Sequence, residues 1–314
     1  MLSICIPIYN FDVQILVKNL HQQGVDTQID FEIVCFDDGS KEYFKKLNRN
    51  IQHLPFVNYL ELPKNFGRSK IRNELGKAAK YLYLIFMDCD SATVDKLYLE
   101  NYLLNLEILN KQPLRKNVPL TDSLNNHVLL YGGRVYKKNP PNNPQLFFHW
   151  KYGSQREQMP PNFRQKQEHH AFMTNNFLIP KQLFLDIQFD ESLTQYGHED
   201  TLFGLELKQQ NIPIIHLDNP LIHIGLETTE VFLMKTKMGI QNLHFLSQKT
   251  DLIQSKLLNT FKKIQQLKLD WLLKLFYTVF EEKMVANFHS KNPNMHLFDL
   301  YKLGYLAKYH ATRL

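Results

Sequence analysis

No apolar stretch in this 314-residue chain approaches the roughly 20 residues that a helix needs to span a bilayer. The best run, Trp271 to Phe280, is short and interrupted by Lys274. Leu2 to Ile8 lacks a basic lead-in and carries Pro7, so it does not read as a secretory leader. Cysteine is scarce. Cys5, Cys35 and Cys89 each sit in an apolar run, form no pairable framework and fit a reducing cytosol as small buried hydrophobes. Glycine motifs that grip phosphate are missing too. No Gly-x-Gly-x-x-Gly follows the first strand and no Gly-x-x-x-x-Gly-Lys-Ser/Thr occurs, which disfavours the dinucleotide and phosphate-loop architectures. These absences predict a cytoplasmic protein that holds any nucleotide by other means.

What is present is an ordinary globular composition, 44% hydrophobic and 22% charged. Charge is uneven along the chain. Of 37 Lys+Arg and 31 Asp+Glu, residues 226–314 hold 13 and 7, leaving 24 of each in residues 1–225. The whole formal charge of +6 therefore sits in the tail, and a compositional boundary falls near residue 225.

Before that boundary, strand and helix signals alternate. Leu2 to Ile8 reads as a strand, followed by a helix capped by Asp12 with the stripe Val13, Leu16, Val17 and Leu20. Phe31 to Phe36 and Val57 to Leu60 read as strands, then a helix with the stripe Ile71, Leu75, Ala78 and Leu82, then the strand Tyr81 to Met87. This alternation implies α/β class, with a mostly parallel sheet and right-handed crossovers. Ligands bind such sheets at the carboxyl ends of the strands. Tyr9-Asn10, Asp37-Asp38-Gly39-Ser40 and Asp88-Cys89-Asp90 all fall there. Carboxylates on alternate residues can turn toward one hard cation, and Mg²⁺ commonly shares protein carboxylates with substrate phosphates. Taken alone the triplet is equally ordinary turn chemistry.

Five elements in order carry a more specific likeness: Ile4 to Asn10, Asp37 to Ser40, Asn65 to Asn73, Asp88 to Asp90, and Tyr196-Gly197-His198-Glu199-Asp200. Over roughly residues 2–235 the chain resembles glycosyltransferase family 2. The resemblance implies a GT-A fold, inversion at the sugar, a nucleotide-sugar donor and Mn²⁺ or Mg²⁺. It gives a GT-A domain over 1–227, with a nucleotide-binding half (1–110) and an acceptor and catalytic half (111–227) holding a Pro-rich insertion, then a basic helical extension, 228–314.

The same resemblance implies that Asp38 accepts a hydrogen bond from the uracil imide, with Asp-Gly turn chemistry as the alternative. Pro7, Tyr9 and Asn10 would line base and ribose, although Tyr9 stands equally as a half-buried core aromatic. Arg68 and Arg72 share one side of a helix start and offer planar forks for phosphate or a base carbonyl. Asn73 reads as a local cap or brace. Asp90 is the metal ligand of its pair, Asp88 reaches ribose or a metal-bound water, and Cys89, counted with the donor-contacting residues, points toward the core. A third metal ligand is expected at His223, with His216 and His198 as lesser candidates. Asp200 is the expected catalytic base, and Glu199 orients the acceptor or braces the loop. For Asp200 a helix-start acid favoured by the dipole is the alternative. Trp150, in the Pro-rich region that is expected as a loop over the site, and His198, in the Gly-x-Glu-Asp element, are candidate acceptor contacts.

The tail reads as helical, with Ile253, Leu257, Phe261, Ile264, Trp271 and Leu275 near one stripe and lysines beside it. A packed helical subdomain and an amphipathic membrane-surface contact both fit, the second at the inner face of the membrane and useful for a lipid-linked acceptor. Nucleic-acid binding has no motif behind it. The activity expected is transfer of a hexose or N-acetylhexosamine from a UDP-sugar to a surface-glycan hydroxyl. Two rivals remain: a nucleotidyltransferase, which should carry a glycine- and lysine-rich phosphate loop, and a non-catalytic glycan- or membrane-binding subunit, which would have no reason to keep Asp88, Asp90 and Asp200.

Overall fold

A computed structural model describes residues 1–111, 127–193, 197–249, 253 and 255–312. The chain forms two compact units. The first comprises 1–137, 158–194 and 199–225, and the second 138–157, 195–198 and 226–314.

In the first unit the strands are β1 (Leu2–Ile8), β2 (Phe31–Asp37), β3 (Val57–Glu61), β4 (Tyr83–Met87), β5 (Ser91–Thr93), β6 (Leu129–Tyr131), β7 (Arg134–Val135), β8 (Asn176–Pro180), β9 (Ile214–His216) and β10 (Leu221–His223). Seven of them form one sheet in the order β3-β2-β1-β4-β8-β6-β9, and β5-β10-β7 form a second. In the large sheet only β8 runs antiparallel to its neighbours. Helices α1 (Gln14–Asp26), α2 (Glu42–Asn48), α3 (Arg68–Ala78), α4 (Tyr98–Asn110), α6 (Pro161–Gln165), α7 (Lys181–Ile187) and α8 (Glu199–Gln209) belong to the same unit.

The central strands are apolar on both faces because helices cover both. Alternate side chains sort accordingly. Ile4, Ile6, Ile33, Cys35, Ile85 and Met87 join one core with Val13, Leu16, Val17 and Leu20 of the α1 segment. Cys5, Val34, Phe36, Leu84 and Phe86 join the other with Ile71, Leu75, Phe184 and Phe203. Pro7 is tolerated within β1 because β1 pairs with β4 only as far as Cys5, so the ladder donor that proline lacks is not needed on that side.

Local details depart from expectation. Asp12 Oδ1 accepts from Gln14 N at 3.0 Å, while Val13 occupies the cap position. The second stripe is one residue off at its end: α3 stops at Ala78, Ala79 is buried and Leu82 is 75% exposed. Leu82 precedes β4 rather than joining it, because the chain must leave the helix to reach the sheet. Pro-rich residues were expected as loop, yet prolines start short helical segments there. Pro144 opens a turn capped by Asn143 and Pro161 opens α6.

The second unit is helical: α5 (Phe147–Tyr152), α9 (Thr229–Lys249), α10 (Lys256–Gln266), α11 (Asp270–Phe288) and α12 (Met295–Ala311). Its core unites Phe148, Leu233, Tyr277, Met284, Phe288, Phe298 and Tyr301. Ser255 and Asn294 cap α10 and α12. The single stripe expected of the tail is two. Ile253 and Phe261 are buried, whereas Trp271 and Leu275 are 61% and 51% exposed. Lys268, at φ 55°, ends the α10 turn and resets the helical phase. Among the described residues no helix is long and apolar enough to cross a membrane.

Candidate active site

The carboxyl ends of β1, β2 and β4 are stitched together by their own loops. Asn10 adopts φ 51°, its N–H donates to Ser40 Oγ at 2.8 Å, and its Oδ1 accepts from Lys41 N at 2.8 Å. Asp37 turns the next loop by accepting from Ser40 N at 2.7 Å. Asp38 accepts from Phe66 N at 2.6 Å and Gly67 N at 3.1 Å, which fixes the loop leading into α3. Burial raises its pKa, and those two amide bonds only partly offset this. Each oxygen keeps a further lone pair, so the carboxylate can still accept from a base imide. Gly39, at φ +74°, is required here: a Cβ would fall 2.7 Å from the backbone of Lys64 and Asn65. Tyr9 is 53% exposed at the strand end.

Beyond β4 the triplet divides. Asp88 accepts from Arg72 Nη2 at 2.8 Å and from Arg134 Nη2 at 3.3 Å, one guanidinium per oxygen. Cys89 packs against the core, and burial pushes its thiol up to about 12. Asp90 turns the other way, toward His223. Antiparallel pairing of β5 with β10 sets His223 opposite Ser91, and Ile224 N donates to Asp90 O at 2.9 Å. The pairing brings Asp90 Oδ1 within 3.5 Å of His223 Nδ1, longer than a good hydrogen bond. Burial works against the Asp90 charge, but His223, Arg134 and Arg68 outweigh it and hold the carboxyl below its usual range. Gly225 makes room for this arrangement, since a Cβ there would meet the Asp90 carboxylate. Among the described residues no group of three or more His, Cys, Asp or Glu side chains stands ready for a metal. Asp90 and His223 are a pair.

Two arginines of α3 continue the network. Arg72, only 3% exposed, lies 3.7 Å from Glu199, and Arg68 donates to the same carboxylate at 3.1 Å. Burial would raise the Glu199 pKa, but these two charges carry it below the ordinary carboxylate value. Asp200, next along α8, accepts from Thr201 N at 2.7 Å through its Oδ1 and is half-buried. Asn73 is not a local brace. Its amide donates to Phe189 O at 3.0 Å and Glu191 at 2.9 Å, and its Oδ1 accepts from Phe189 N at 2.8 Å, tying α3 to a loop over a hundred residues away. Side-chain reach, invisible in sequence spacing, is the reason.

His216 stands apart from the Asp90 pair. It bonds the Glu168 carbonyl at 2.9 Å and faces Arg164 at 3.3 Å, and burial pushes its pKa down to about 4. Trp150 lies on α5 with its ring 5.5 Å from Phe147, and His198 follows Gly197 with φ 69°; both belong to the helical unit. Tyr196 lies outside the described residues.

Sequence reasoning missed Arg134. It projects from the Gly132-Gly133-Arg134 corner, which the buried Asn176 amide fixes by donating to Gly133 O and Asn219 O, each at 2.9 Å. Tyr98 and Tyr102 in turn donate to Asn176 Oδ1 at 2.7 and 2.8 Å. A Gly-Gly-Arg corner after a strand was the available signal.

Arg72 is the keystone, and its removal should be costly. Arg72→Ala leaves Asp88 and the buried Glu199 short of a counter-charge, and breaking buried pairs is strongly destabilising. With Arg68 still on Glu199, the expected loss is about 3 kcal/mol, read as a lower urea midpoint at unchanged slope. A midpoint within error of the parent would refute that role.

Comparison with known proteins bears on the same elements. Residues 3–111 match Glycosyl transferase family 2. A segment of 104 residues is 33% identical to chondroitin synthase of Escherichia coli, covering 32% of this chain and 15% of that protein. The chain thus matches only a small part of this relative's length. A mannosyltransferase from Pyrobaculum calidifontis, PcManGT, in complex with GDP-Man and Mn²⁺, superposes with TM-score 0.57 at 12% identity, over 99% of this chain and 86% of that one. S. aureus TarS 1-349 in complex with UDP gives 0.50 at 15% identity, over 99% and 91%. At such identities the likeness speaks for the fold. Residues 3–111, which run from β1 to the end of α4, belong to glycosyl transferase family 2, and the sheet that they open is of the GT-A type.

Proposed function

We propose that the chain is an inverting, divalent-metal-dependent glycosyltransferase that moves a hexose or N-acetylhexosamine from a UDP-sugar to a hydroxyl of a glycan. The observation that carries this reading is the division of labour at the strand ends. Asp90 and His223 face each other at 3.5 Å, while Asp88 is already held by Arg72 and Arg134.

The residues fit a cation whose remaining ligands come from elsewhere: a carboxylate whose Oδ1 is buried, and an imidazole whose buried Nδ1 faces it at 3.5 Å. Mg²⁺ and Mn²⁺ accept such oxygen and imidazole donors and commonly share substrate phosphates. Held by Asp90 and His223, the ion would neutralise charge on the leaving diphosphate. Asp38, Tyr9 and Pro7 at the ends of β1 and β2 line the nucleoside. Arg134 and Arg72 meet the diphosphate, exchanging part of their contact with Asp88 for phosphate oxygens. Asp200 takes the proton of the acceptor hydroxyl as its oxygen bonds to the anomeric carbon, and the bond from that carbon to the diphosphate breaks with its electron pair leaving on the phosphate. Glu199 is engaged by Arg68 and Arg72, which suits it to bracing rather than to proton transfer.

UDP with Mn²⁺ should raise the melting temperature. At a hundredfold excess over Kd a ligand specific to the folded state adds about 2.7 kcal/mol, roughly 5 °C for a chain of this size. UDP-sugars should be hydrolysed slowly where GDP- and dTDP-sugars are not. Binding without turnover of any donor would favour the non-catalytic subunit.

A further inference from the structure

We infer that the α10–α11 corner of the helical unit is a docking surface for an anionic lipid bilayer. Helix α11 is apolar on two opposite faces. One face carries Tyr277, Met284 and Phe288, all buried against α12 and its neighbours. The other carries Trp271, Leu272, Leu275 and Val279, which are 61%, 48%, 51% and 60% exposed. At 3.6 residues per turn these four fall within about 100° of the circumference, directly opposite the buried set. Leu267 and Leu269, 68% and 43% exposed, extend the patch through the turn that Lys268 makes at φ 55°.

A helix apolar all round is normally covered all round, and an exposed patch of this kind marks an interaction site. Charge selects the occupant. Exposed Lys274 and Lys283 flank the apolar face on its two sides, and Lys262, Lys263 and Lys268 are exposed on α10 and in the turn that leads into α11. Between residues 256 and 283 there are six lysines against Asp270, Glu281 and Glu282. Glu281 is already committed to Lys237 at 2.8 Å and to the Tyr277 hydroxyl at 2.6 Å. Basic flanks around a tryptophan- and leucine-bearing face suit phospholipid headgroups above acyl chains, each lysine near such a surface adding attraction. The helix is not long or apolar enough to span, so it lies in the interface. Nothing in this inference depends on the transferase reading.

The test is flotation of the full chain with phosphatidylcholine vesicles, with and without phosphatidylglycerol, at low and high salt. The chain should float only with phosphatidylglycerol vesicles and be released by salt. Leu275→Ser with Trp271→Ser should weaken partition at least about tenfold per side chain, since each loses most of its apolar burial, without changing the melting temperature. Lys268→Glu with Lys274→Glu should abolish the preference for phosphatidylglycerol. Absence of flotation at low salt overturns the inference, as does flotation unchanged in both variants. A concentration-dependent dimer in sedimentation that Leu275→Ser makes monomeric would assign the face to a second copy instead, and would overturn it equally.

Discussion

Asp90→Ala is expected to lose the metal dependence of UDP binding and to lower transfer on the order of 10³-fold, because charge neutralisation by a bound cation contributes several kcal/mol to such a reaction. The fold should survive, since β5 and β10 remain paired through their backbones. Gly225→Ala supplies an independent route to the same result. Its Cβ would meet the Asp90 carboxylate and displace it from His223 without removing any ligand. Titration calorimetry of UDP with and without Mn²⁺ reads both variants. If Asp90→Ala binds UDP with unchanged metal dependence, the cation is held elsewhere.

Asp200→Asn isolates the chemical step. The amide keeps the shape of the carboxylate and its acceptance of the Thr201 N–H, but cannot take a proton at neutral pH. Loss of a general base costs about 10²–10⁴ in rate, and UDP affinity should be near normal because Asp38 and Asp90 lie on other elements. Glu199→Gln should behave differently. Glu199 is buried beneath Arg68 and Arg72, so its neutralisation should lower stability and loosen α3 more than it slows transfer. Transfer at parental rate by Asp200→Asn, with collapse in Glu199→Gln, would reverse the two roles; activity in both would remove the base from this pair altogether.

Strand ends and central apolar runs were legible because each is written in a contiguous segment. Leu2–Ile8 runs as β1, Asp38 and the Asp88-Cys89-Asp90 triplet follow their strands, and the Val13, Leu16, Val17 and Leu20 stripe packs as one face. Local pattern also implied helices after residue 228. Phase is less secure than existence: Lys268 broke one stripe into two, and Leu82 left its helix, because a turn resets which face meets the core.

Tertiary structure alone decided which partners each carboxylate meets. Asp88 and Asp90 are two residues apart, a spacing that lets both face one side, yet one meets two arginines and the other a histidine 133 residues later. Glu199 and Asp200 are adjacent, yet the first is sunk between Arg68 and Arg72 while the second is half-buried. Arg134 entered the network only because the buried Asn176 amide fixes the glycine corner before it. Burial and charge partners are properties of the folded arrangement: the sequence by itself determined an α/β sheet with acids at its carboxyl edge, and side-chain reach between distant segments decided what each acid touches.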